Sequence, residues 1–213
     1  MAIIVPAILE ETKEGFETKS NSFVRLLGVE RIQVDFCDGK FVAHKSLSIA
    51  DIDSLNPAYV WEAHLMVEEP VDFFDYQMAG FKFIIVHLEA FKSSEQLLSS
   101  LKQIRALGLK TGLAINPETD VATVQIYDSL VDQYTLLEVH PGTQGQELLE
   151  GSFLRIAKLR NLLPHAIIEV DGGVRLNNVK QILEAGSDVV VVGSALAGDP
   201  EWDFEKFREA LAM

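Results

Sequence analysis

Eight short runs rich in β-branched and other apolar residues recur along the chain, at 3–9, 31–36, 60–66, 83–88, 110–115, 135–139, 167–171 and 189–193. Longer amphipathic or polar segments separate them. This alternation limits the fold more than any other feature, because parallel strands can be joined only by long crossovers, usually helical. The clearest crossover is 93–107, where Leu97, Leu101 and Ile104 fall on one face at helical spacing while Lys102 and Arg105 point elsewhere. Gly28, Gly80, Gly108 and Gly186 stand where helices should stop before the next strand. Eight such units in 213 residues predict an α/β protein, a (β/α)₈ TIM barrel formed by one domain over 1–213. An open doubly wound sheet would normally carry a Gly-x-Gly-x-x-Gly turn after its first strand. Here Leu9 runs into Glu10-Glu11-Thr12 instead.

Composition narrows the function classes. Apolar residues make up 48% of the chain, enough for a sizeable core, and no Pro/Ser-rich linker divides it. With 18 basic against 32 acidic residues the net charge is −14, which argues against nucleic acid or an anionic membrane as partner. A small anionic substrate stays compatible, since backbone N–H groups supply local positive potential whatever the net charge. The first residues are too short and lack the basic flank of a signal peptide, and no apolar run reaches membrane-spanning length, so a cytoplasmic location is expected. The single cysteine, Cys37, suits a reducing compartment, and Asp35 and Asp38 beside it disfavour a thiolate nucleophile.

In a barrel the chemistry sits where the strands end. Those ends read Ala7; Gln33, Asp35 and Asp38; His64 and Met66; His87 and Glu89; Asn116-Pro117; His140-Pro141-Gly142; Asp171-Gly172-Gly173; and Gly193-Ser194. Period-two alternation puts Gln33 and Asp35 on one face, as it does His64 and Met66, and likewise Glu169 and Asp171. If that face is the barrel interior, Asp35, His64 and Asp171 converge near the rim, with Gln33 beside them. Two carboxylates and an imidazole suit a divalent metal ion, and Gln33 could add an amide oxygen as fourth ligand. Two carboxylates flanking a sugar can also take a proton from one face of a carbon and return one to the other. A metal would stabilise the enediolate between these steps. Gly142, Gly145, Gly172, Gly173, Gly193 and Ser194 follow strands six to eight, where such barrels build a phosphate cradle. Glu62 and Glu169, one layer deeper, read as a paired structural layer, and His87 as support for the site or for the fold. Of the remaining histidines only His140 stands where a substrate could reach.

The ordered motifs Val34-Asp35-x-x-Asp38-Gly39-x-Phe41-Val42, His64-Leu65-Met66, Val86-His87-x-Glu89, Asn116-Pro117-x-Thr119, Pro141-Gly142-x-x-Gly145-Gln146 and Glu169-Val170-Asp171-Gly172-Gly173-Val174 carry a resemblance. The chain is similar, nearly end to end, to the ribulose-phosphate 3-epimerase family of (β/α)₈ barrels. The resemblance implies an isomerase of carbohydrate metabolism in which Asp35 and Asp171 invert C3 of a pentulose 5-phosphate. It also implies one divalent ion, Zn, Mn, Fe or Mg, on Asp35, His64, Asp171 and a second histidine, with Met66 lining the site and the glycine loops and Ser194 holding phosphate. A homo-oligomer is compatible with it.

Four positions depart from that pattern. Gln33 stands where the family has its second metal histidine, Ala7 where it has a serine, His140 replaces an asparagine and Gln144 a glycine. An amide for an imidazole should weaken zinc and favour harder ions such as Mn²⁺ or Mg²⁺. These departures leave open a catalytically lapsed sugar-phosphate binder. Another phosphate-binding barrel enzyme, of the lyase or aldolase class, is the third reading; related decarboxylase and synthase barrels carry Asp-x-Lys-x-x-Asp, and Asp35-Phe36-Cys37-Asp38 has no lysine.

Overall fold

The structure is a computed structural model that describes residues 2–141 and 145–212. Eight parallel strands close into a barrel in sequence order: β1 (Ile3–Ile8), β2 (Arg31–Cys37), β3 (Val60–Met66), β4 (Phe83–His87), β5 (Lys110–Ile115), β6 (Gln133–Leu137), β7 (Ile168–Asp171) and β8 (Val189–Val192). The eight predicted runs therefore all become strands. The sixth is displaced two residues toward the N-terminus, because Gln133 and Tyr134 belong to it and a search for apolar runs passes over a strand that opens on an amide.

The crossovers are less regular than the strands. Among the described residues there are six α-helices: α1 (Lys13–Phe23), α2 (Phe73–Ala79), α3 (Ser94–Ala106), α4 (Ser152–Leu162), α5 (Val179–Glu184) and α6 (Pro200–Ala212). Between β2 and β3 the chain makes only a 3₁₀ turn at Ile49–Asp51, and between β5 and β6 a 3₁₀ stretch at Val121–Leu130. The latter, VATVQIYDSL, is rich in β-branched residues that lose side-chain freedom in an α-helix. α3 is as the periodicity predicts: Ser93 caps it by accepting from the Gln96 amide, and Leu97, Leu101 and Ile104 are buried. Gly80 ends α2 at φ +108, a conformation that a side chain would strain.

Alternation along the strands sorts residues into two environments. Outward-facing residues such as Ile32, Val34, Trp61, Leu65, Ile84, Leu113, Leu136 and Val170 pack under the crossovers and form the main core. The barrel interior holds a small apolar cluster of Val5, Ala7, Val189 and Val191 on the β1/β8 side. Much of the rest of that interior is polar, with Phe83 and Ile85 of β4 among the exceptions. Arg31, Gln33, Asp35, Glu62, His64, His87, Gln133, Thr135 and Glu169 are all buried there.

Candidate active site

Strand register brings distant residues to one level. Asp35 of β2 pairs with His64 of β3, and Asp171 is the last residue of β7. One donor atom from each of Asp35, His64 and Asp171 lies within 4.8 Å of the other two. His64 Nδ1 is 3.2 Å from Asp35 Oδ1 and 3.2 Å from Asp171 Oδ2. Gln33, fully buried beside them, donates from Nε2 to Asp35 Oδ1 and to Asp171 Oδ2, both at 2.8 Å. Carboxylates only accept hydrogen bonds, so the amide turns its NH₂ toward them. Its Oε1 is left buried without a hydrogen-bond partner, and rotating the amide would exchange the two atoms. Ala7 is the register partner of Gln33 on β1, so the first two departures lie side by side.

The charges are unequal. Burial would lower the His64 pKa, but hydrogen bonds and charge from Asp171 and Asp35 raise it to about 10. Burial pushes Asp35 up, outweighing its hydrogen bond to His64, and the charge of Asp171 adds to the rise. Asp171 is held down, since its bonds and charge attraction to His64, with the Gln33 amide, outweigh burial. The two carboxylates are thus driven apart around one imidazolium. His87 stacks on His64 at 5.0 Å between ring centroids, with the two Nε2 atoms 2.8 Å apart. His64, being charged, donates there, and His87, kept neutral by burial, accepts. Behind His87, Glu89 accepts from the Asn116 amide at 2.8 Å and from the Thr119 hydroxyl, which ties the β4 and β5 ends together.

A cleft opens above this cluster, lined by Asp35, His64, Met66, Asp171, Gly172, Gly173, Gly193, Ser194 and Gly145, with Ala7 in its wall. Gly142 and Gln144 lie outside the described residues. The glycines differ in their reasons. A Cβ on Gly172 would fall 2.4 Å from Val139, and one on Gly173 2.4 Å from the Leu148 backbone nitrogen, at φ of +91 and +70. Those two are glycine because the chain folds tightly there. A Cβ on Gly193 would meet only the Ala7 methyl, at 3.9 Å. That position borders open cleft.

Several residues sit elsewhere than expected. His140 is exposed and faces Glu118 at 3.2 Å, since alternation turns it away from the cleft that Val139 lines. Asp38 works on the loops, accepting from the amides of Lys40, Phe41 and Glu68; these outweigh burial and keep its pKa low. Glu62 and Glu169 do form a buried layer, but around Arg31: its guanidinium binds Glu62, reaches Gln133 Oε1 at 2.9 Å and lies 3.8 Å from Glu169. Periodicity also gives no reason to single out Arg175, a loop residue that lines the cleft and donates to Ser194 Oγ at 3.1 Å. The available signal was an arginine two residues beyond the Gly172-Gly173 pair in a strongly acidic chain.

Comparison with known proteins places this geometry. A profile described as the Ribulose-phosphate 3 epimerase family matches residues 3–197. Ribulose-5-phosphate-3-epimerase, chloroplastic, of Arabidopsis thaliana is 33% identical over 209 residues, covering 94% of this chain and 73% of that protein. Ribulose-phosphate 3-epimerase of Synechocystis is also 33% identical, covering 94% and 89%. Among solved structures, 3-hexulose-6-phosphate synthase from Salmonella typhimurium superposes with a TM-score of 0.72 at 19% identity, covering 100% and 99% of the two chains. The 3-keto-L-gulonate-6-phosphate decarboxylase from Vibrio cholerae gives 0.73 at 14%, covering 99% and 97%. At such identities the last two speak for the fold alone.

Proposed function

Since the chain belongs to the ribulose-phosphate 3-epimerase family, and so is an isomerase acting on carbohydrate phosphates, we propose that it inverts C3 of a pentulose 5-phosphate, interconverting ribulose and xylulose 5-phosphates. The observation that carries this reading is the pair Asp35 and Asp171, delivered by β2 and β7 to one cleft with their proton affinities driven apart. Such a split is what a two-base inversion needs, one group ready to give a proton while the other is ready to take one. The ionised carboxylate takes the C3 proton from one face, and the C–H electron pair moves into the C2 carbonyl to give an enediolate. The protonated carboxylate then delivers its proton to the opposite face of C3. Reversal exchanges the two roles. The His64 imidazolium and the Gln33 NH₂ group, already aimed between the carboxylates, supply positive charge where the enediolate oxygens develop theirs.

Asp35, His64 and Asp171 fit a divalent ion as three converging oxygen and nitrogen donors, and the orphaned Oε1 of Gln33 is a neutral fourth donor that amide rotation would present. Zn, Mn, Fe and Mg are the candidates, and any of them would act as a Lewis acid toward the enediolate. His64 must lose its extra proton to become a ligand, so affinity for the ion rises with pH. Met66 lines the sugar end of the cleft, while Gly145, Gly172, Gly173, Gly193 and Ser194, with Gly142, receive the phosphate. A lapsed binder and a lyase are not what membership of this family favours.

The reading is tested by incubation with ribulose 5-phosphate and related ketose phosphates in D₂O, with each candidate metal and with chelator, following the C3 proton by NMR. Exchange that disappears in Asp35→Asn and Asp171→Asn is expected. Absence of exchange for every sugar in every metal would sink the proposal.

A further inference from the structure

Among the described residues, the arginines withdrawn from solvent are matched to carboxylates: Arg31 to Glu62, Arg155 to Glu138, Arg160 to Asp188 and Arg208 to Glu205. Arg175 is the exception. It is half-buried in the cleft wall, and no carboxylate among the described residues lies within ion-pair distance of it, although the chain has 32 acidic residues to offer. Its guanidinium is nevertheless held firmly. NH1 donates to the Val174 carbonyl at 3.0 Å, while NH2 donates to the Gly145 carbonyl at 3.3 Å and to Ser194 Oγ at 3.1 Å. None of these acceptors cancels its charge. By accepting from Arg175, the Ser194 hydroxyl keeps its own hydrogen free to donate.

A cation partly removed from water without a counter-ion is costly, and an anion arriving beside it relieves that cost. With three of its five N–H donors on those acceptors, two remain to meet an anion, and the charge of the guanidinium is permanent. The need is greater here than in a neutral protein, because a net charge of −14 disfavours a dianion near the surface. We infer that Arg175 is a phosphate-binding residue of the cleft, its fixed charge, set by Ser194, Gly145 and Val174, selecting substrates with a dianionic end. The inference rests on the proposed placing of the phosphate at the Gly193-Ser194 end, and adds a side-chain cation to what would otherwise be a cradle of backbone and hydroxyl donors.

Inorganic phosphate is the probe, titrated calorimetrically into the full chain and used as a competitor of turnover. Arg175→Met should weaken phosphate binding about 10- to 100-fold, the range of a hydrogen bond to a charged group, and should raise KM for the ketose phosphate more than it lowers kcat. Arg175→Lys, which keeps the charge and loses the bonds that fix its position, should fall between. If Arg175→Met melts as the wild type does and binds phosphate equally well, the residue is only a strap for the Gly145 loop and the inference is overturned. Should that variant not fold, Arg175→Gln replaces it, and unchanged phosphate affinity there overturns the inference equally. Phosphate binding needs no turnover, so the two readings can fail separately. Arg175-dependent binding in a protein that epimerises no sugar rejects the reaction and keeps the ligand, whereas full epimerase activity with Arg175-independent binding rejects the ligand and keeps the reaction.

Discussion

Two tiers of the barrel interior are built from the same three strands, two to four residues apart. The lower has Arg31 from β2, Glu62 from β3 and Glu169 from β7; the upper has Asp35, His64 and Asp171 from the same strands. Each is two carboxylates and one cation. In the lower tier both glutamates are fully buried, and the cation is an arginine that never gives up its proton. Burial, with Glu62 close by, pushes Glu169 well above the ordinary carboxylate range despite Arg31. The upper tier faces a cleft, and its cation is an imidazole that can exchange its proton. The same charge pattern is therefore inert where it is sealed around a permanent cation, and chemically available where it is open around a titratable one.

Substitutions can set the tiers against each other. The largest effect is expected on activity in the upper tier: Asp171→Asn and Asp35→Asn should each lower C3 proton exchange by about 10²- to 10⁴-fold, with little change in melting temperature. A mere loss of folding would erase the distinction between tiers. In the lower tier, Arg31→Met leaves two buried carboxylates without their cation and should cost about 3–5 kcal/mol in denaturant unfolding. Replacing all three groups by apolar residues should restore much of that loss, as buried ion clusters often allow.

Gln33→His tests how far the upper tier is built for a metal. Four-ligand zinc sites are worth about 10–16 kcal/mol in all, so one added imidazole should raise zinc affinity at least about tenfold in competition with a chromophoric chelator. Unchanged affinity would mean that position 33 faces away from the ion. Pairing it with Ala7→Ser, its neighbour in register, shows whether the two departures act together.

The tiers should also differ with pH. His64 titrates near 10 in the fold against an ordinary 6.5. Its contribution to stability is therefore fully present below about pH 6.5 and is lost as pH rises toward 10, while Arg31 stays charged throughout. Urea unfolding of chelator-treated protein at pH 6, 8 and 10 should show this decline, and His64→Gln should flatten it. The smallest effect concerns Cys37: burial, with Asp35 and Asp38, pushes its thiol to about 12, so alkylation at pH 8 should be slow until the protein is unfolded.

Much of the upper tier was legible in the sequence because strand alternation is local. Asp35, His64 and Asp171 each lie at or near the end of an apolar run, and a period of two assigns their face without knowledge of their neighbours. The lower tier was only half legible. Glu62 and Glu169 followed from the same alternation, but Arg31 opens its strand and looks like a solvent residue until the barrel closes over it. Loop residues escaped more completely, since no periodicity governs them: Arg175 gained its meaning from Ser194 across the gap between β7 and β8, and His140 lost its proposed place by pointing outward.

The sequence by itself determined the eight strands, their order around the barrel and the carboxylate pair, because hydrophobic period and strand-end chemistry are properties of short stretches. Tertiary structure alone decided which charges meet. It set Gln33's amide between two carboxylates from β2 and β7, put Ala7 beside Gln33, gave Arg31 two glutamates and, among the described residues, left Arg175 none. Such meetings depend on closure of the barrel, which brings residues more than a hundred positions apart within hydrogen-bond reach, and no local pattern records that distance.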